Sequence, residues 1–306
     1  MKKLLKVMLA LAVCSAALCV TAAAAESDSA PTRVWGKIAP WDGEGIFLKN
    51  DDKDDHLNEV VLHVGGAPVV DAATGLPLDM ESVKEGDTLY AWIGPAAAMS
   101  LPPQVFAEVV VGNVPADAAA PEYYEIAGAA APSGDGRISF PVLGGGTLNV
   151  TDKTAYTPWL TRQIVRAEDL VPGAKVLAWK NKDGNAEKVL VFPYSYRGYV
   201  SWQGDGTVLF NGEALAVKGK LSETGFMPLR AVAEAAGYDV VWDKNRGAVV
   251  QDENVDLVFF AVPGEQVLFR NGEEVGISAP CVLENGVTYL PAEDLCYWLN
   301  LFFVAE

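Results

Sequence analysis

The sequence predicts a mostly β protein: two small β-barrels, OB-like or similar, followed by an α+β part that holds a duplicated β/α module with two short helices. Three observations predict this fold class. Short apolar runs, separated by Gly, Pro and Asp clusters, fill the first two thirds of the chain. Two pairs of internal repeats are present, and a helical period replaces the strand pattern after about Tyr196.

The first 25 residues have the pattern of a signal peptide rather than of a folded element. Three lysines precede an apolar run at residues 7–20 that is short for a bilayer span, and residues 22–25 are small. Cleavage after Ala25 would leave 281 residues (306 minus 25) with a net charge of −20 (−17 minus 3). Such a charge disfavours nucleic acid and anionic lipid as partners, and we expect no membrane span after cleavage.

After a polar leader at residues 26–32, a first β-barrel-like domain is predicted over residues 33–114. Its expected strands are RVWGKI at 33–38, GIFLKN at 45–50, EVVLHV at 59–64, DTLYAWIG at 87–94 and QVFAEVVVG at 104–112. Five short strands of this kind are typical of a small closed barrel. The segment PADAAAPE at 115–122 has the composition of a linker.

A second β-barrel-like domain is predicted over residues 123–195. Its expected strands lie at 123–130, 136–143, 146–151, 174–181 and 186–194. The segment MESVKEGDTLYAWIG at 80–94 matches RAEDLVPGAKVLAWKN at 166–181, and each copy leads through a turn into an apolar strand that carries a tryptophan, Trp92 or Trp179. This match indicates that the two domains are repeats of each other.

The C-terminal part, residues 196–306, contains two further repeats at about 206–251 and 265–306. VLFNGE at 208–213 recurs as VLFRNGEE at 267–274, and Pro228 aligns with Pro291 so that Gly237 falls on Asn300. Pro suits a first helical turn, and Gly or Asn suits a left-handed residue after a helix. The apolar residues between them recur at i, i+3, i+4 and i+7, which predicts a helix of about nine residues in each copy. These positions are Leu229, Val232, Ala233 and Ala236, and then Ala292, Leu295, Cys296 and Leu299.

This part resembles the copper amine oxidase N-terminal-like domain over about residues 197–306. The resemblance is carried by VLFNGE and GFMPLRAVAEAAGYDVVWD, followed by VLFRNGEEVGISAPCVLENGVTYLPAEDL. In the first copy the family's positions hold Pro228, Leu229, Arg230, Ala233, Glu234, Gly237, Val240, Trp242 and Asp243. In the second copy Glu293 stands in place of the Arg and Tyr297 in place of the Glu. The resemblance implies a non-catalytic stalk or accessory module of exported proteins in Gram-positive-type bacteria.

The residues do not support the copper chemistry that the family name suggests. The resemblance implies that this chemistry lies in a different domain, with three imidazole ligands and a quinone made from Tyr. After residue 25 the chain holds only His56 and His63, both outside the resembling region, and copper(II) favours imidazole sites. We therefore predict no catalytic residues, no metal and no cofactor.

Two local features have structural and functional interpretations. Arg230 and Glu234 could face a ligand, but an i, i+4 ion pair, or an Arg that holds Asp243, explains them more simply. Cys281 and Cys296 remain after signal cleavage in an exported protein, where a disulfide is permitted, but two buried free thiols are favoured.

Two candidate binding sites remain. Tyr194, Tyr196, Tyr199 and Trp202 are concentrated in YSYRGYVSW, and in one straight strand Tyr194, Tyr196 and Trp202 would line one face, which suits a sugar-binding platform. Packing is the alternative. The acidic segment NDDKDDHLNE at 50–59 lacks the spacing of an EF-hand, which leaves a solvated hairpin loop or a weak calcium site at Asp51, Asp52, Asp54 and Asp55.

These observations together predict a secreted or cell-surface protein, cell-wall associated or free, that binds a cell-envelope protein or glycan without catalysis. Two alternatives stay open. One is a secreted hydrolase with a carboxylate site in residues 33–195, which two facing acids of raised pKa would favour. The other is a purely structural spacer.

Overall fold

The computed structural model describes residues 30–98, 100–133, 135–203, 205–217, 225–253 and 255–304. The predicted signal peptide, and residues 26–29 of the predicted leader, lie outside these ranges. The described chain forms two compact units: residues up to Asp205 together with 300–304, and Gly206–Leu299. Within these ranges no helix is long and apolar enough to cross a membrane.

The first barrel is a closed sheet of five strands with one strand added at its edge. β1, β2 and β3 form an antiparallel meander, β5 pairs with β1 and β6, and β3 pairs in parallel with β6 to close the barrel. This connectivity is that of the OB fold, so the predicted barrel is confirmed. The strands are β1 (Thr32–Ile38), β2 (Ile46–Lys49), β3 (Glu59–His63), β4 (Val69–Asp71), β5 (Thr88–Ala98) and β6 (Gln104–Gly112).

The interior of this barrel is filled by the alternate residues of its strands. Val34, Leu48, Leu62, Leu89 and Val105 are all almost fully buried in one cluster. Burial of each such side chain contributes about 1.5–3 kcal/mol. The residues between them on each strand therefore point outward and form the outer surface of the barrel.

The second predicted barrel consists of two sheets, β10-β9-β8 and β11-β13-β12-β7, whose strand pairings follow the order of those in the first barrel. β12 lies between β7 and β13, and single bridges join Ile126 to Val142 and, in parallel, Asn149 to Asn185. The first bridge corresponds to the β1–β2 pairing of the first barrel, and the second bridge corresponds to its parallel β3–β6 pairing. The strands are β7 (Glu122–Glu125), β8 (Ala131–Pro132), β9 (Ile138–Pro141), β10 (Thr147–Val150), β11 (Ala155–Pro158), β12 (Lys175–Lys180) and β13 (Ala186–Val191), and β14 (Tyr199–Trp202) follows.

Short elements outside the barrels follow the same repeat. β4 pairs in parallel with β6, and β11 pairs in parallel with β13. A 3₁₀ turn precedes the tryptophan strand of each copy, at Met80–Ser82 and at Ala167–Asp169. The predicted repeat is therefore present in three dimensions.

The two barrels share one buried cluster. Trp92 from β5 and Leu177 from β12 belong to it, together with Tyr123 and Phe192. At its edge the Trp179 Nε1–H donates to the carbonyl of Ala72 over 2.8 Å. These contacts join the two barrels into one unit.

The unit Gly206–Leu299 contains two short helices on a small sheet and a separate five-stranded sheet. α1 and α2 both pack against β17 and β24. The strands are β15 (Val208–Phe210), β16 (Glu213–Ala214), β17 (Phe226–Pro228), β18 (Asp239–Asp243), β19 (Gly247–Asp252), β20 (Val255–Ala261), β21 (Val267–Arg270), β22 (Glu273–Gly276), β23 (Val282–Glu284) and β24 (Val287–Pro291), and the helices are α1 (Leu229–Ala235) and α2 (Ala292–Trp298).

The two copies of the module meet across the β17–β24 pair. Met227 lies opposite Leu290, Phe226 opposite Pro291 and Pro228 opposite Tyr289. Because Met227 and Leu290 are equivalent residues of the two copies, this register is that of a local two-fold axis. The two helices therefore pack symmetrically on one sheet.

The helix patterns in the sequence are confirmed. All eight residues of the two apolar stripes are buried. Pro228 and Pro291 are the N-cap residues, one position before the first helical residue. Gly237 and Asn300 have φ values of +85° and +53°, which is the left-handed conformation that ends a helix.

The C-terminal segment adds one strand to the barrel unit. β25 (Phe302–Phe303) pairs in parallel with β14, with Tyr199 opposite Phe302. The backbone N–H of Arg197 also donates to the carbonyl of Asn300 over 2.8 Å. This segment therefore lies against the aromatic stretch that the sequence singled out.

Candidate ligand-binding groove

The aromatic stretch does not form the flat platform that its parity predicts. The chain bends at Tyr196 and Arg197, and β14 begins only at Tyr199. Because no straight strand connects Tyr194 to Trp202, the condition under which these side chains would line one strand face is not met.

Two of the four aromatic residues, Tyr196 and Trp202, are packed against rings of the C-terminal strand. Tyr196 meets Phe302 edge to face at 5.4 Å between ring centroids, and its hydroxyl donates to Glu125 Oε1 over 3.0 Å. Trp202 meets Phe303 in the same way at 5.2 Å. Tyr199 lies in β14 opposite Phe302. These side chains therefore position the C-terminal strand.

Tyr194 lies instead in the wall of a groove of 660 Å³. One wall is the strand end at Val191–Tyr194, and the other is the loop that runs from Pro158 to Val171. The groove has an apolar part and a polar part. The apolar part is lined by Trp159, Ile164, Val165, Phe192 and Tyr194, and the polar part by Thr161, Gln163, Glu168 and Asp169.

The loop is held in place at both of its ends. At the start, β11 sets Pro158 opposite Val191, and the Trp159 N–H donates to the Val191 carbonyl over 2.8 Å. The buried Trp159 ring meets Phe192 edge to face at 5.8 Å. At the far end, Asp169 accepts a hydrogen bond of 2.7 Å from the Arg166 N–H. The groove is therefore already formed in this conformation.

Between these ends the loop exposes apolar side chains. Leu160, with φ of +54°, and Ile164 are both largely exposed, Ile164 to 81%. Exposed aliphatic residues beside a groove are the residues that a ligand can cover.

The charge of the groove is negative. Its lining contains the carboxyl groups of Glu168 and Asp169 and neither Lys nor Arg. Burial raises the pKa of the Tyr194 phenol, whose hydroxyl donates to the Pro172 carbonyl over 2.8 Å. Burial, and then the nearby Glu168 charge, raise the pKa of Tyr156 to about 12. Both phenols are therefore neutral, and the carboxylates favour cationic or neutral ligand groups.

The hydrolase alternative expects two facing acids of raised pKa, and the described residues contain one acid whose pKa is clearly raised. This acid is Glu125; burial is the main cause of its raised pKa, and Glu108 adds to it. Glu125 is 7% exposed and holds the Tyr196 hydroxyl, and it does not line the groove. Its environment is that of an interior packing residue.

Arg230 holds α1 against β18. Its Nη1 lies 2.9 Å from Glu234 Oε1 and also donates to the carbonyl of Val240. Asp243 is not its partner, because this carboxylate accepts from the backbone N–H groups of Asn245 and Arg246. The expected ion pair is present, and the helix-to-strand contact runs through a backbone carbonyl. Trp242 beside it is about half exposed on this edge strand.

Cys281 and Cys296 are both free and buried. Burial raises the pKa of each thiol to about 12, and the charge of Glu293 adds to this for Cys296. Since the thiolate is the reactive form, both groups are unreactive at neutral pH.

Polar side chains of the acidic loop at residues 50–59 form hydrogen bonds within the loop itself. Asp52 accepts from the Asp54 N–H, and Asp55 accepts from the Leu57 N–H and from the Asn50 side chain. In the part of the chain that the structure describes, no group of three or more His, Cys, Asp or Glu is placed to hold a metal ion.

The family comparison concerns the unit with the two helices. The model of the copper amine oxidase N-terminal domain matches residues 207–300. This segment is a copper amine oxidase N-terminal-like domain. It is a non-catalytic stalk-type domain. None of the curated proteins compared matches the chain.

The copper amine oxidase N-terminal-like domain does not supply a copper site. The segment 207–300 contains no His, and copper(II) favours imidazole ligands. Its two thiols are buried with raised pKa values, so they do not replace imidazole as accessible ligands.

Sequence reasoning did not predict the groove. The one usable signal is the segment TPWLTRQIV at 157–165, where large apolar residues occur in a stretch with neither a strand nor a helix period. Its partner wall at Phe192–Tyr194 comes close only through the parallel pairing of β11 with β13.

Proposed function

We propose that this is a secreted or cell-surface accessory protein of a Gram-positive-type bacterium, and that it binds a cell-envelope partner without catalysis. The groove beside Tyr194 carries the proposal, because it joins a partly exposed aromatic residue, the exposed aliphatic residue Ile164 and two carboxylates in one concavity. The stalk-type domain at 207–300 supports an accessory role. The signal-peptide pattern of the first 25 residues supports export.

The lining favours a protein segment over a sugar as the ligand of this groove. Ile164 and Val165 offer an aliphatic surface, which suits apolar side chains. Glu168 and Asp169 suit Lys or Arg side chains of the same ligand. We therefore propose an extended segment with apolar and basic residues.

Binding, rather than hydrolysis, fits the position of the acids. The groove carboxylates, Glu168 and Asp169, are neighbours in sequence on a 3₁₀ turn. The Asp169 carboxylate already accepts a hydrogen bond from the Arg166 N–H. A glycoside hydrolase of the usual kind needs two carboxyl groups that flank the scissile bond, one of them with raised pKa. This observation favours the non-catalytic proposal over the hydrolase alternative.

The test is a pull-down of residues 26–306 against protein and cell-wall fractions of an envelope. Ile164→Asp is expected to abolish capture of a protein partner, and Glu168→Gln to weaken it, because they change exposed groups of the groove. Leu76→Ala, an exposed residue elsewhere in the same unit, is the matched control. Melting temperatures should match the wild type for all three variants.

Two results would contradict the proposal. Release of soluble fragments from envelope material, lost on substitution of an acid in residues 33–195, would support the hydrolase alternative. Capture of no partner by the wild type would support a purely structural spacer.

A further inference from the structure

The outer face of β2, β3 and β6 in the first barrel is rich in aromatic residues. In the strand register Phe47 lies opposite Val61, and Val61 lies beside Gln104. Two residues further along each strand, His63 lies beside Phe106. The alternate residues Leu48, Leu62 and Val105 fill the barrel core, so this set faces away from it.

Four aromatic rings lie on this face as two pairs, one tilted and one stacked. The Trp41 and Phe47 ring centroids are 5.4 Å apart with an angle of 37° between the planes. His63 and Phe106 are 5.1 Å apart at 27°. Phe106 is 65% exposed and Trp41 is 39% exposed, although each lies on another ring. We name this set, Trp41, Phe47, His63 and Phe106, the aromatic face.

A glycine lets the backbone approach one part of the aromatic face closely. Gly45 has φ of +93°, and a Cβ atom there would come within 2.8 Å of Val61 Cγ1 and 3.3 Å of His63 Cε1. The backbone at Gly45 therefore lies against the Val61 and His63 side chains, and glycine adds no side chain there.

Polar groups on the same face suit hydrogen bonding rather than ion binding. His63 Nε2 and Gln104 Oε1 are 2.9 Å apart, and the Gln104 amide has further donor and acceptor capacity. The charged residues on the strands of this face form ion pairs: Lys49 with Glu59, and Glu108 with Lys175 at 2.9 Å. The face therefore offers aromatic surface and neutral hydrogen-bonding groups.

We propose that the aromatic face is a binding site for an uncharged glycan chain. The negative face of an aromatic ring attracts the electropositive C–H groups on one side of a sugar ring, and amide and imidazole groups bond its hydroxyls. OB barrels bind oligosaccharides or oligonucleotides over this part of the fold. The net charge of −17 and the acids Asp42 and Glu44 beside Trp41 disfavour an oligonucleotide.

This site is separate in sequence and in surface from the groove, although it rests on the proposed binding function. The groove residues come from the second barrel, and the aromatic face comes wholly from the first. A glycan on one barrel and a protein segment on the other would make the unit an adaptor between two envelope components.

The test is calorimetric titration of residues 26–306 with a hexasaccharide of N-acetylglucosamine and with one of glucose, both β-1,4-linked and uncharged. Binding of at least one is expected. Phe106→Ala and, separately, Trp41→Ala should each weaken it about tenfold or more, which corresponds to the loss of one stacked ring. Leu76→Ala and Ile164→Asp are controls that should bind as the wild type does.

Three other results would each contradict the proposal, and each points to a different explanation. If neither hexasaccharide binds while the envelope pull-down succeeds, the aromatic face is not a glycan site and the groove proposal stands. If Ile164→Asp, and not Phe106→Ala, loses the glycan, the sugar occupies the groove. If a dodecamer of thymidylate binds and Phe106→Ala abolishes this, the face is a nucleic-acid site.

Discussion

Removing the Arg230 side chain should destabilise the unit at 206–299 far more than removing its ion-pair partner. Arg230 makes two contacts through one nitrogen: one to the Glu234 carboxylate and one to the Val240 carbonyl. Arg230→Ala loses both contacts, whereas Glu234→Ala loses only the first. The difference between the two variants therefore isolates the bond between helix and strand.

The structure sets the expected size of each loss. The ion pair joins side chains that are 52% and 50% exposed, so it contributes about 0.2–0.5 kcal/mol. Val240 is only 6% exposed, and leaving a buried carbonyl without its donor costs about 1–3 kcal/mol. In a domain of this size each 1 kcal/mol lowers the melting temperature by about 4–8 °C. Arg230→Ala should therefore lower it by at least about that amount.

The assay is urea unfolding combined with hydrogen exchange of peptides that cover β18 and β19. Arg230→Ala should speed exchange there and leave the β6 peptides of the barrel unit unchanged. Tyr297→Ala, at the position of Glu234 in the second copy and largely exposed, is the control that should have little effect. Equal destabilisation by Arg230→Ala and Glu234→Ala would refute the argument, because the carbonyl contact would then contribute nothing.

Three further predictions follow from single residues. Since burial raises the pKa of Glu125, the stability it contributes is complete below its ordinary value of 4.5 and falls as pH rises through the raised value. Glu125→Gln should therefore raise the melting temperature at pH 7 but not at pH 4; equal shifts would count against it. Cys281 and Cys296 should both react with a thiol reagent in denaturant without reductant, and hardly at all when folded; a titre near zero in denaturant would reveal a disulfide. Gly237→Ala should destabilise by about 1 kcal/mol or more, because its φ is +85°, and unchanged melting would contradict this.

The sequence predicts the long strands and both helices because their signals are local. The run at 104–112 becomes β6 with the same bounds, and the i, i+3, i+4 stripes of the helices are all buried. β4 and β11 were not predicted, since each has only three or four residues and forms by parallel pairing with a distant strand. Such pairing leaves no period in the local sequence.

The candidate sites depend even more on contacts between distant segments, which the local sequence does not reveal. The bend at Tyr196 and Arg197 separates Tyr194 from Trp202, and neither residue type marks a bend in advance. Phe106 and His63 are 43 positions apart, and they meet only through the parallel β3–β6 closure of the barrel. Residue types alone could suggest aromatic binding surfaces, but tertiary pairing decides which rings are exposed together.

The two-fold register of β17 and β24 has an evolutionary consequence. An ancestral single copy would have presented the strand before its helix as an edge strand, which could pair with the same strand of another molecule, with Met227 or Leu290 at the symmetry axis. Gene duplication would then have joined two such subunits into one chain, which removes the dependence of folding on protein concentration. Once fused, the halves were free to diverge, and only one needed to keep the arginine that secures its helix.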